Sequence, residues 1–328
     1  SVGTRYINTT SGELFICTDA TAGENVWKGQ LGSTVEPAKW YGDRGVICGG
    51  YSLNGNTNRN VITYFAHATP GNATDFGDML TAAEIGGNGC SSGTRGVMPP
   101  NSVNTDELQY ITFGSLGNAI DFGNRTESGS NVSGLSNGTR GVFCGGTANS
   151  NSDTMDYVTI ASLGNATDFG NMTDDRSELC TFGSETRGVM AGGNDGASET
   201  SIIDYIIIAS LGNASDFGDI NARDRHPRGC SSAAGRGLIG GGHDGSVTDE
   251  IEYITISSNG NATDFGDLSV ARRNLASSGN GSIAVWCCGT TGDPDSDTMD
   301  YVTIASLGNA SDFGNDIARR TCGGMSGT

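Results

Sequence analysis

The sequence predicts an all-β fold, a six-bladed β-propeller, and three observations lead to that prediction. A phrase that reads GNATDFG in its third copy recurs six times, and its phenylalanines are 46 to 48 residues apart, at Phe76, Phe122, Phe169, Phe217, Phe265 and Phe313. Each repeat contains four short apolar segments, and the last ten residues supply a segment that the first repeat lacks. Four strands in a unit of about 40 to 50 residues are typical of a propeller blade, which buries its apolar faces against copies of itself.

The first 40 residues do not share the repeat and are predicted to form a separate domain, with the propeller over 41–328. Short apolar segments at Tyr6 and Ile7, at 14–17 and at Val26 and Trp27 alternate with turn residues at 10–12 and near Gly23. This alternation predicts a small β-hairpin module.

The second strand of each blade is predicted by an arginine-glycine motif. In the third repeat it reads RGVFCGG over 140–146, and a degenerate copy covers 282–289 in the sixth. A bulky apolar run closed by two glycines is typical of a buried strand whose backbone then turns tightly. We expect the arginines to be structural, hydrogen-bonded to a neighbouring turn, because they recur at Arg44, Arg95, Arg140, Arg187 and Arg236.

The third strand and the phrase that follows it complete the blade. In segment 155–162 the residues Tyr157, Thr159 and Ala161 alternate with apolar neighbours, which is the period-two pattern of a strand. The GNATDFG phrase predicts a turn, to which we assign Asp-Phe-Gly, and a short strand or strand-like edge that buries the phenylalanine. Five copies contain an Asn-X-Ser/Thr sequon, which we interpret as a turn asparagine rather than a glycosylation site, at Asn72, Asn165, Asn213, Asn261 and Asn309.

The two ends of the repeat region complement each other. The first blade begins with its second strand at Arg44, and 319–328 (RRTCGGMSGT) corresponds to 272–281, which precedes the second strand of the sixth blade. Exchange of this terminal strand closes the ring and removes its open edges. If a two-residue turn joins the strands, Cys322 lies opposite Cys48. The two cysteines are then either a disulfide or two small buried apolar residues.

Composition limits the partners of the chain. A formal charge of −19 argues against a nucleic-acid partner, and it suits a protein that stays soluble at high local copy number. The nine cysteines include no CxxC pair of the kind that binds zinc. Apolar runs such as 206–209 are too short to cross a bilayer, so we expect no membrane insertion.

The variable loops between the second and third strands are the predicted binding surface. They differ between blades while the strands do not, as expected where a rigid scaffold presents a recognition surface. The candidate residues come from the third and fourth blades: Thr147, Asn149, Asn151, Asn194, Asp195 and Glu199.

One of these loops carries alternating carboxylates. Asp293, Asp295 and Asp297 lie in the sixth blade, and such a pattern binds Ca2+ in some loops. The glycine and the final glutamate of an EF-hand are absent, so the alternatives are a calcium site and a solvated acidic loop. We expect no other cofactor.

No catalytic residues are predicted. The Asp-Phe-Gly phrase matches a protein-kinase tripeptide, but the lysine-bearing strand, the HRD loop and the glycine-rich loop are missing. The three histidines, His67, His226 and His243, share no repeat position, and nothing places Ser, His and Asp together. We expect a protein that is not an enzyme. A glycan-active enzyme is a remote alternative, and it requires a pocket of converging carboxylates or histidines.

Two resemblances extend these predictions. The double glycine followed by an aromatic strand resembles the kelch blade, although Asp-Phe-Gly replaces the usual tryptophan. The string TRYINTTSGELFICTDATAGENVW, over 4–27, resembles a small module in structural proteins of tailed bacteriophages, and the GNATDFGD repeat resembles repeated segments of phage virion proteins. The resemblance implies a virion surface protein in multiple copies, which the N-terminal module attaches to other virion proteins.

The resemblance also implies a function. A propeller displayed on a tail fibre or other appendage would recognise a glycan or protein on the host surface. The alternative is a capsid or tail decoration protein with an assembly or stabilising role.

Overall fold

The computed structural model describes residues 2–7, 14–20, 26–29, 34–35, 39–100, 105–221, 227–231 and 235–328. Every regular element in these ranges is a β-strand. Within them no helix is long and apolar enough to cross a membrane. The chain divides into two compact units, Ser1–Lys39 and Trp40–Thr328.

The N-terminal unit is a four-stranded antiparallel meander. Its strands are β1 (Arg5–Ile7), β2 (Leu14–Asp19), β3 (Val26–Gly29) and β4 (Thr34–Val35). Phe15 and Cys17 on β2 are buried, and the ring of Tyr6 lies 6.3 Å from that of Phe15. The three predicted segments are therefore paired strands, and β4 extends the sheet.

The second unit is a six-bladed β-propeller, as predicted, and each blade is a four-stranded antiparallel sheet. We name the strands of a blade A to D in the order in which they pair. Strands B, C and D of blade 1 are β5 (Arg44–Cys48), β8 (Val61–Ala66) and β9 (Thr74–Asp78), and its B–C loop holds the hairpin β6 (Tyr51–Ser52) and β7 (Thr57–Asn58). Blade 2 consists of β10 (Cys90–Ser91), β11 (Arg95–Met98), β12 (Glu107–Thr112) and β13 (Ile120–Asn124).

The remaining blades follow in chain order. Blade 3 consists of β14 (Ser133–Ser136), β15 (Arg140–Cys144), β16 (Thr154–Thr159) and β17 (Thr167–Asn171). Blade 4 consists of β18 (Cys180–Gly183), β19 (Arg187–Ala191), β20 (Ile202–Ile207) and β21 (Ser215–Asp219). Blade 5 consists of β22 (Arg228–Ser231), β23 (Arg236–His243), β24 (Val247–Thr255) and β25 (Thr263–Asp267). Blade 6 consists of β26 (Ala276–Gly279), β27 (Ile283–Cys287), β28 (Thr298–Thr303) and β29 (Ser311–Asn315).

The C-terminal strand closes the ring. β30 (Gly323–Gly327) pairs antiparallel with β5 and becomes strand A of blade 1. The A strands contact one another in an unbroken circle, β30, β10, β14, β18, β22 and β26, and so surround the axis. Terminal strand exchange is therefore present, and strand D forms the outer edge of each blade.

The register at this closure differs by one residue from the expected one. Gly323, not Cys322, lies opposite Cys48, and Gly327 pairs with Arg44. In blade 1 the A–B turn is built from two separate parts of the chain. Thr328 occupies the first position of this turn, whereas the expected register put it at the second position, which Asp43 holds. The direct alignment of Cys48 with Cys322 was wrong, and both carry free thiols.

The short strand predicted for the GNATDFG phrase is strand D, and it buries the phenylalanine as expected, but Asp-Phe-Gly lies in this strand rather than in a turn. In blade 3, Met155 pairs with Gly170 while Asp156 pairs with Asp168, so Phe169 is the extra residue of a β-bulge. The C–D pairing shifts at the same point in all six blades. The bulge turns the phenylalanine inward, where it is 2% exposed and its ring lies edge-to-face on Tyr157.

Neighbouring blades are joined at their outer edges by a repeated glycine contact. A Cβ atom on Gly170 would lie 2.5 Å from the carbonyl oxygen of Gly212 in the next blade. The amide of Gly212 donates to the carbonyl of Phe169, and Oδ1 of Asn213 accepts from the amide of Asn171. The same contact joins blade 6 to blade 1 through Gly314 and Gly71. These contacts give the turn asparagine a structural role, as we interpreted it.

The strand-B arginines also link blades. Nη1 of Arg140 donates to the carbonyl of Ile208 in blade 4 at 2.7 Å, while its guanidinium lies over the ring of Tyr157 at 4.5 Å. Arg44, Arg95, Arg187 and Arg236 repeat both contacts. A guanidinium donates in its plane and stacks through its faces, so arginine serves both roles. These positions are structural, and each arginine donates to the first residue of the turn that follows strand C in another blade, as expected.

The closure seam uses a different linkage. Blade 6 has Ile283 in place of the arginine, and blade 1 has His67 where the acceptor positions of other blades carry Phe113 or isoleucine. Nε2 of His67 lies 3.1 Å from Oγ of Ser278 in blade 6, and Nδ1 lies 3.0 Å from the carbonyl oxygen of Asp43. Burial lowers the pKa of His67 to about 4, so this link is made by a neutral imidazole.

A layer of buried ion pairs lies beneath the B–C loops, and sequence reasoning missed it. Arg176, in the connection that enters blade 4, pairs with Asp204 on strand C of that blade. Its Nη1 also donates to the carbonyls of Gly192 and Ile202, both at 2.9 Å. Arg272 and Asp300 repeat this arrangement in blade 6, and all four charged side chains are fully buried.

Blades 1 and 3 also place a carboxylate beside a buried guanidinium, but by different means. In blade 1 strand C carries Thr63, and Asp316 supplies the carboxylate 2.7 Å from Arg319. In blade 3 the guanidinium comes from Arg125, 3.0 Å from Asp156. Blade 2 has neither charge, since Ala83 and Gln109 stand at these positions. In blades 1, 3, 4 and 6 a carboxylate thus lies beside the buried guanidinium, which lowers the cost of burying its charge.

Candidate functional site

Five described B–C loops form a surface on one face of the propeller, which we name the loop crown: 53–57, 147–153, 194–200, 243–247 and 290–297. Strands B and D of a blade end on the same side, so the B–C loops lie beside the connections between blades. Isolated bridges fasten them there, for example Ser130 with Thr147 and Ser177 with Asn194. The corresponding loop of blade 2 includes 101–104, which lie outside the described residues.

In blade 3, the predicted residues Thr147 and Asn151 hold the loop and leave Asn149 at its tip. Oγ1 of Thr147 donates to Oδ1 of Asn151 at 2.9 Å, and the two residues form a backbone bridge. Nδ2 of Asn151 then donates to the carbonyl of Asn194 in blade 4 at 2.7 Å. Asn149 is exposed. Of the three candidates here, Asn149 is the one available to a ligand.

In blade 4, Asn194 and Asp195 order a tight loop from within. Oδ1 of Asn194 accepts from the amide of Gly196 at 2.8 Å. Oδ1 of Asp195 accepts from the amides of Ser198 and Ala197, and these hydrogen bonds hold the pKa of Asp195 below its usual value. The side chain of Asp195 is exposed and stays ionised at neutral pH. Asp195 therefore presents a fixed negative charge to solvent.

Glu199 connects this loop to blade 5. Its Oε1 lies 3.9 Å from Nδ1 of His243. Asp244, next in the chain, is exposed at a tip closed by a hydrogen bond from its amide to the carbonyl of Ser246. The loops of blades 3, 4 and 5 thus form one continuous hydrogen-bonded and charged surface. His243 and Asp244 were not predicted, since the sequence does not reveal which loops touch.

The aspartate loop of blade 6 contacts blade 1. Oδ2 of Asp295 accepts from the amide of Leu53 at 2.7 Å, and its Oδ1 lies 3.7 Å from Nε of Arg320. Asp293 and Asp297 are exposed. In the described part of the chain no three His, Cys, Asp or Glu side chains are grouped as metal ligands. The Ca2+ site stays a prediction from the sequence, since Asp295 serves as an inter-blade contact.

Blade 1 contributes the aromatic side chain of the crown that the sequence did not single out. The ring of Tyr51 lies under the guanidinium of Arg320 at 5.3 Å, and its hydroxyl donates to Oδ1 of Asn56. Asn54 and Asn56 are exposed beside it. This loop lacks the strong repeat signal of the strands, which is why sequence reasoning passed over it.

The crown offers hydrogen-bonding groups at fixed positions. Its exposed tips carry amides and carboxylates, at Asn54, Asn56, Asn149, Asp195, Asp244 and Asp293. Asparagine, serine, glycine and tyrosine are the residues that antibody loops use for adaptable polar recognition. A surface of this kind suits a ligand rich in hydroxyl or amide groups, and the carboxylates disfavour anionic ligands.

The axis of the propeller holds a small cavity of about 70 Å³. It is lined by Trp40, Tyr41 and the glycines and hydroxyl side chains of the A strands, Thr181 and Ser277 among them. Nδ2 of Asn88 crosses the axis to the carbonyl of Gly229 and to Oγ of Ser277, each at 3.0 Å. No histidine or carboxylate is among the described residues that line it.

No family model matches this chain, and no curated protein matches it.

Proposed function

We propose that this chain is a non-enzymatic component of a tailed-phage virion and that its loop crown recognises a glycan or protein on the host surface. The observation that carries the proposal is the combination of variable loop sequence and fixed loop geometry. The strands repeat from blade to blade, whereas the described loops differ in sequence, and hydrogen bonds tie the loop of blade 3 to that of blade 4 and the loop of blade 6 to that of blade 1. A preorganised surface loses little entropy on binding.

The chemistry of the crown supports a polar, uncharged ligand. Amide and carboxylate groups such as those of Asn149 and Asp195 are exposed and can hydrogen-bond to the hydroxyls of a saccharide. The charge of −19 opposes binding to nucleic acid and to strongly anionic polymers. Each contact of this kind is weak, so useful binding needs several copies on one particle.

The virion assignment rests on the resemblance of 4–27 and of the GNATDFGD repeat to phage structural proteins. In this proposal the N-terminal unit attaches the chain to other virion proteins at the particle surface, and the propeller is displayed outward in multiple copies. The propeller inserts into no membrane and needs no cofactor.

The first experiment measures binding of the isolated chain to an array of bacterial surface polysaccharides, as monomer and as a streptavidin-linked tetramer. We expect the tetramer to bind at least ten-fold more tightly than the monomer, because linked sites act at high effective concentration. Replacing Asn149 and Asp195 with alanine should abolish binding. Replacing Leu163, which is exposed in a C–D turn on the opposite face, should leave it unchanged. Equal loss in both variants would contradict recognition by the crown.

A second experiment locates the chain on the particle through a gold label in the exposed segment 292–297. A label at the tail tip or fibres agrees with host recognition. A label over the capsid lattice would replace that function with decoration, and no label on any virion would overturn the phage assignment.

One observation favours the decoration alternative. The face opposite the crown exposes a leucine at the same position of four C–D turns, and each is more than half exposed: Leu116, Leu163, Leu211 and Leu307. Repeated apolar contacts on one face suit packing against a regular lattice. If this function is correct, substitution of these leucines by serine lowers incorporation into particles, while the crown variants are incorporated normally.

A further inference from the structure

Cys288 occupies a backbone position that glycine holds in other blades. Five residues after the first residue of strand B, the backbone is left-handed in four of them, with φ of 62° at Gly49, 61° at Gly145, 62° at Gly192 and 63° at Gly241. Cys288 has a φ of 62°. A residue with a Cβ atom is strained in this conformation, so packing alone would favour glycine here too.

The space around this position also favours glycine. A Cβ atom on Gly145 would lie 2.3 Å from the carbonyl oxygen of Arg176, and one on Gly241 would lie 2.6 Å from that of Arg272. The equivalent carbonyl for Cys288 is that of Arg319. A cysteine is therefore unfavourable here on two counts, backbone conformation and crowding.

The side chain of Cys288 is directed toward the closing strand. The same two glycines face a leucine of the next blade, since their Cβ atoms would lie 3.2 Å from Cδ1 of Leu179 and 2.6 Å from Cδ1 of Leu275. In blade 1 the residue at this leucine position is Cys322, just before β30. In the structure Cys288 and Cys322 lie in one buried cluster, and the Cys322 thiol is near enough to raise the pKa of Cys288. The Cys288 thiol also donates to Oδ2 of Asp316 at 3.4 Å and to the carbonyl of Ile317 at 3.7 Å.

We propose that Cys288 and Cys322 form a disulfide that fastens the closing strand to blade 6. The oxidant is a small-molecule disulfide such as oxidised glutathione. The thiolate of one cysteine attacks the glutathione disulfide and releases one glutathione thiol, and the other cysteine attacks the mixed disulfide and releases the second. Two protein thiols thus lose two electrons and two protons, which the two glutathione thiols carry away. This pair replaces the pairing of Cys48 with Cys322.

The bond is expected to form as the ring closes. The hydrogen bond to Cys322 and burial raise the pKa of Cys288, so the folded, reduced protein holds few thiolates at this seam. Both side chains are fully buried, and a small-molecule oxidant reaches them only before β30 docks or when it detaches. Once formed, the bond holds β30 against blade 6, in the position from which β30 pairs with β5.

The test is peptide mapping of the full-length chain refolded with oxidised or with reduced glutathione. Trypsin cleavage without reduction should yield Asn274–Arg319 linked to Thr321–Thr328, and only in the oxidised sample. The matched control is Cys288→Gly, which restores the residue of other blades and should fold without forming this product. A second control, Cys48→Ala, should retain it. Oxidation should slow unfolding in urea at least ten-fold in the wild type and leave Cys288→Gly unaffected.

Three results would overturn the proposal. One is a link between Gly45–Arg59 and Thr321–Thr328, which assigns Cys48 as the partner. Another is persistence of the Asn274–Arg319 product in Cys288→Gly, which assigns Cys287. The third is alkylation of all nine cysteines after refolding with oxidised glutathione, which shows that no disulfide forms.

Discussion

The buried ion pair of Arg176 and Asp204 allows a quantitative test of how the blades are held together. Both side chains are fully buried, and the arginine also serves two main-chain carbonyls. The substitution Asp204→Gln keeps a hydrogen-bond acceptor near the guanidinium but removes the charge. Loss of one partner from a buried pair costs about 3–5 kcal/mol, because the remaining charge is desolvated without compensation.

The chain itself provides the matched control. Blade 2 has Ala83 and Gln109 at the two positions, so the double variant Arg176→Ala with Asp204→Gln copies a combination that the protein already uses. We expect the double variant to recover about 2 kcal/mol relative to Asp204→Gln alone, since it removes the unpaired charge while leaving two carbonyls without a donor. Asp168→Asn, on the exposed strand D, should change stability by less than about 0.5 kcal/mol.

The assay is equilibrium unfolding in urea, followed by circular dichroism, with free energies compared at a common slope. The reasoning is refuted if the free energy of unfolding of Asp204→Gln lies within about 1 kcal/mol of the wild-type value, since ordinary point substitutions have effects of that size. It is also refuted if the double variant is less stable than the single one. Either result would mean that the guanidinium does not depend on the carboxylate.

Two further predictions concern the seams between blades. Gly170→Ala should lower the free energy of unfolding in urea by at least about 1–2 kcal/mol more than Gly212→Ala does. The two glycines have similar φ, 138° and 145°, but only at Gly170 would a Cβ atom lie 2.5 Å from a carbonyl oxygen. Equal losses would show that backbone strain, not crowding, dominates. For His67, whose pKa burial lowers to about 4, the unfolded chain takes up a proton near pH 6.5 while the folded chain stays neutral. The neutral histidine therefore contributes roughly 3 kcal/mol to the free energy of unfolding above pH 6.5, and this contribution is lost as the pH falls to 4. Urea midpoints measured over a series of pH values should show this loss in the wild type and not in His67→Gln. The same dependence on pH in both proteins would contradict the prediction.

Local sequence pattern predicted the blade and its order. Apolar runs closed by two glycines became strand B followed by left-handed glycines such as Gly145, with φ of 61°. The missing first strand at Arg44 and the surplus segment at the C-terminus predicted the closing strand. These inferences succeeded because strand period, glycine conformation and repeat spacing are properties of consecutive residues.

The failures concern contacts between segments. The Asp-Phe-Gly phrase looked like a turn, but pairing with strand C makes it a bulge, which only the neighbouring strand reveals. The alignment of Cys322 with Cys48 assumed a continuous two-residue turn between β30 and β5, but these strands are not consecutive in the chain. In the structure Gly323 lies opposite Cys48, one residue from the expected register. The contact of Asp295 with the amide of Leu53 in another blade was likewise not foreseen, because the sequence does not show which loops meet.

The sequence by itself determined that the chain repeats a four-stranded unit six times and closes on itself, since the repeat is written in consecutive residues. Only the tertiary structure decided which side chains meet across blades. Arg176, Arg272 and Arg319 hold one repeat position and Arg125 another, yet each of these guanidinium groups lies beside a carboxylate. A carboxylate lowers the cost of burying a guanidinium from any sequence separation, so such pairs become visible only when the blades are packed.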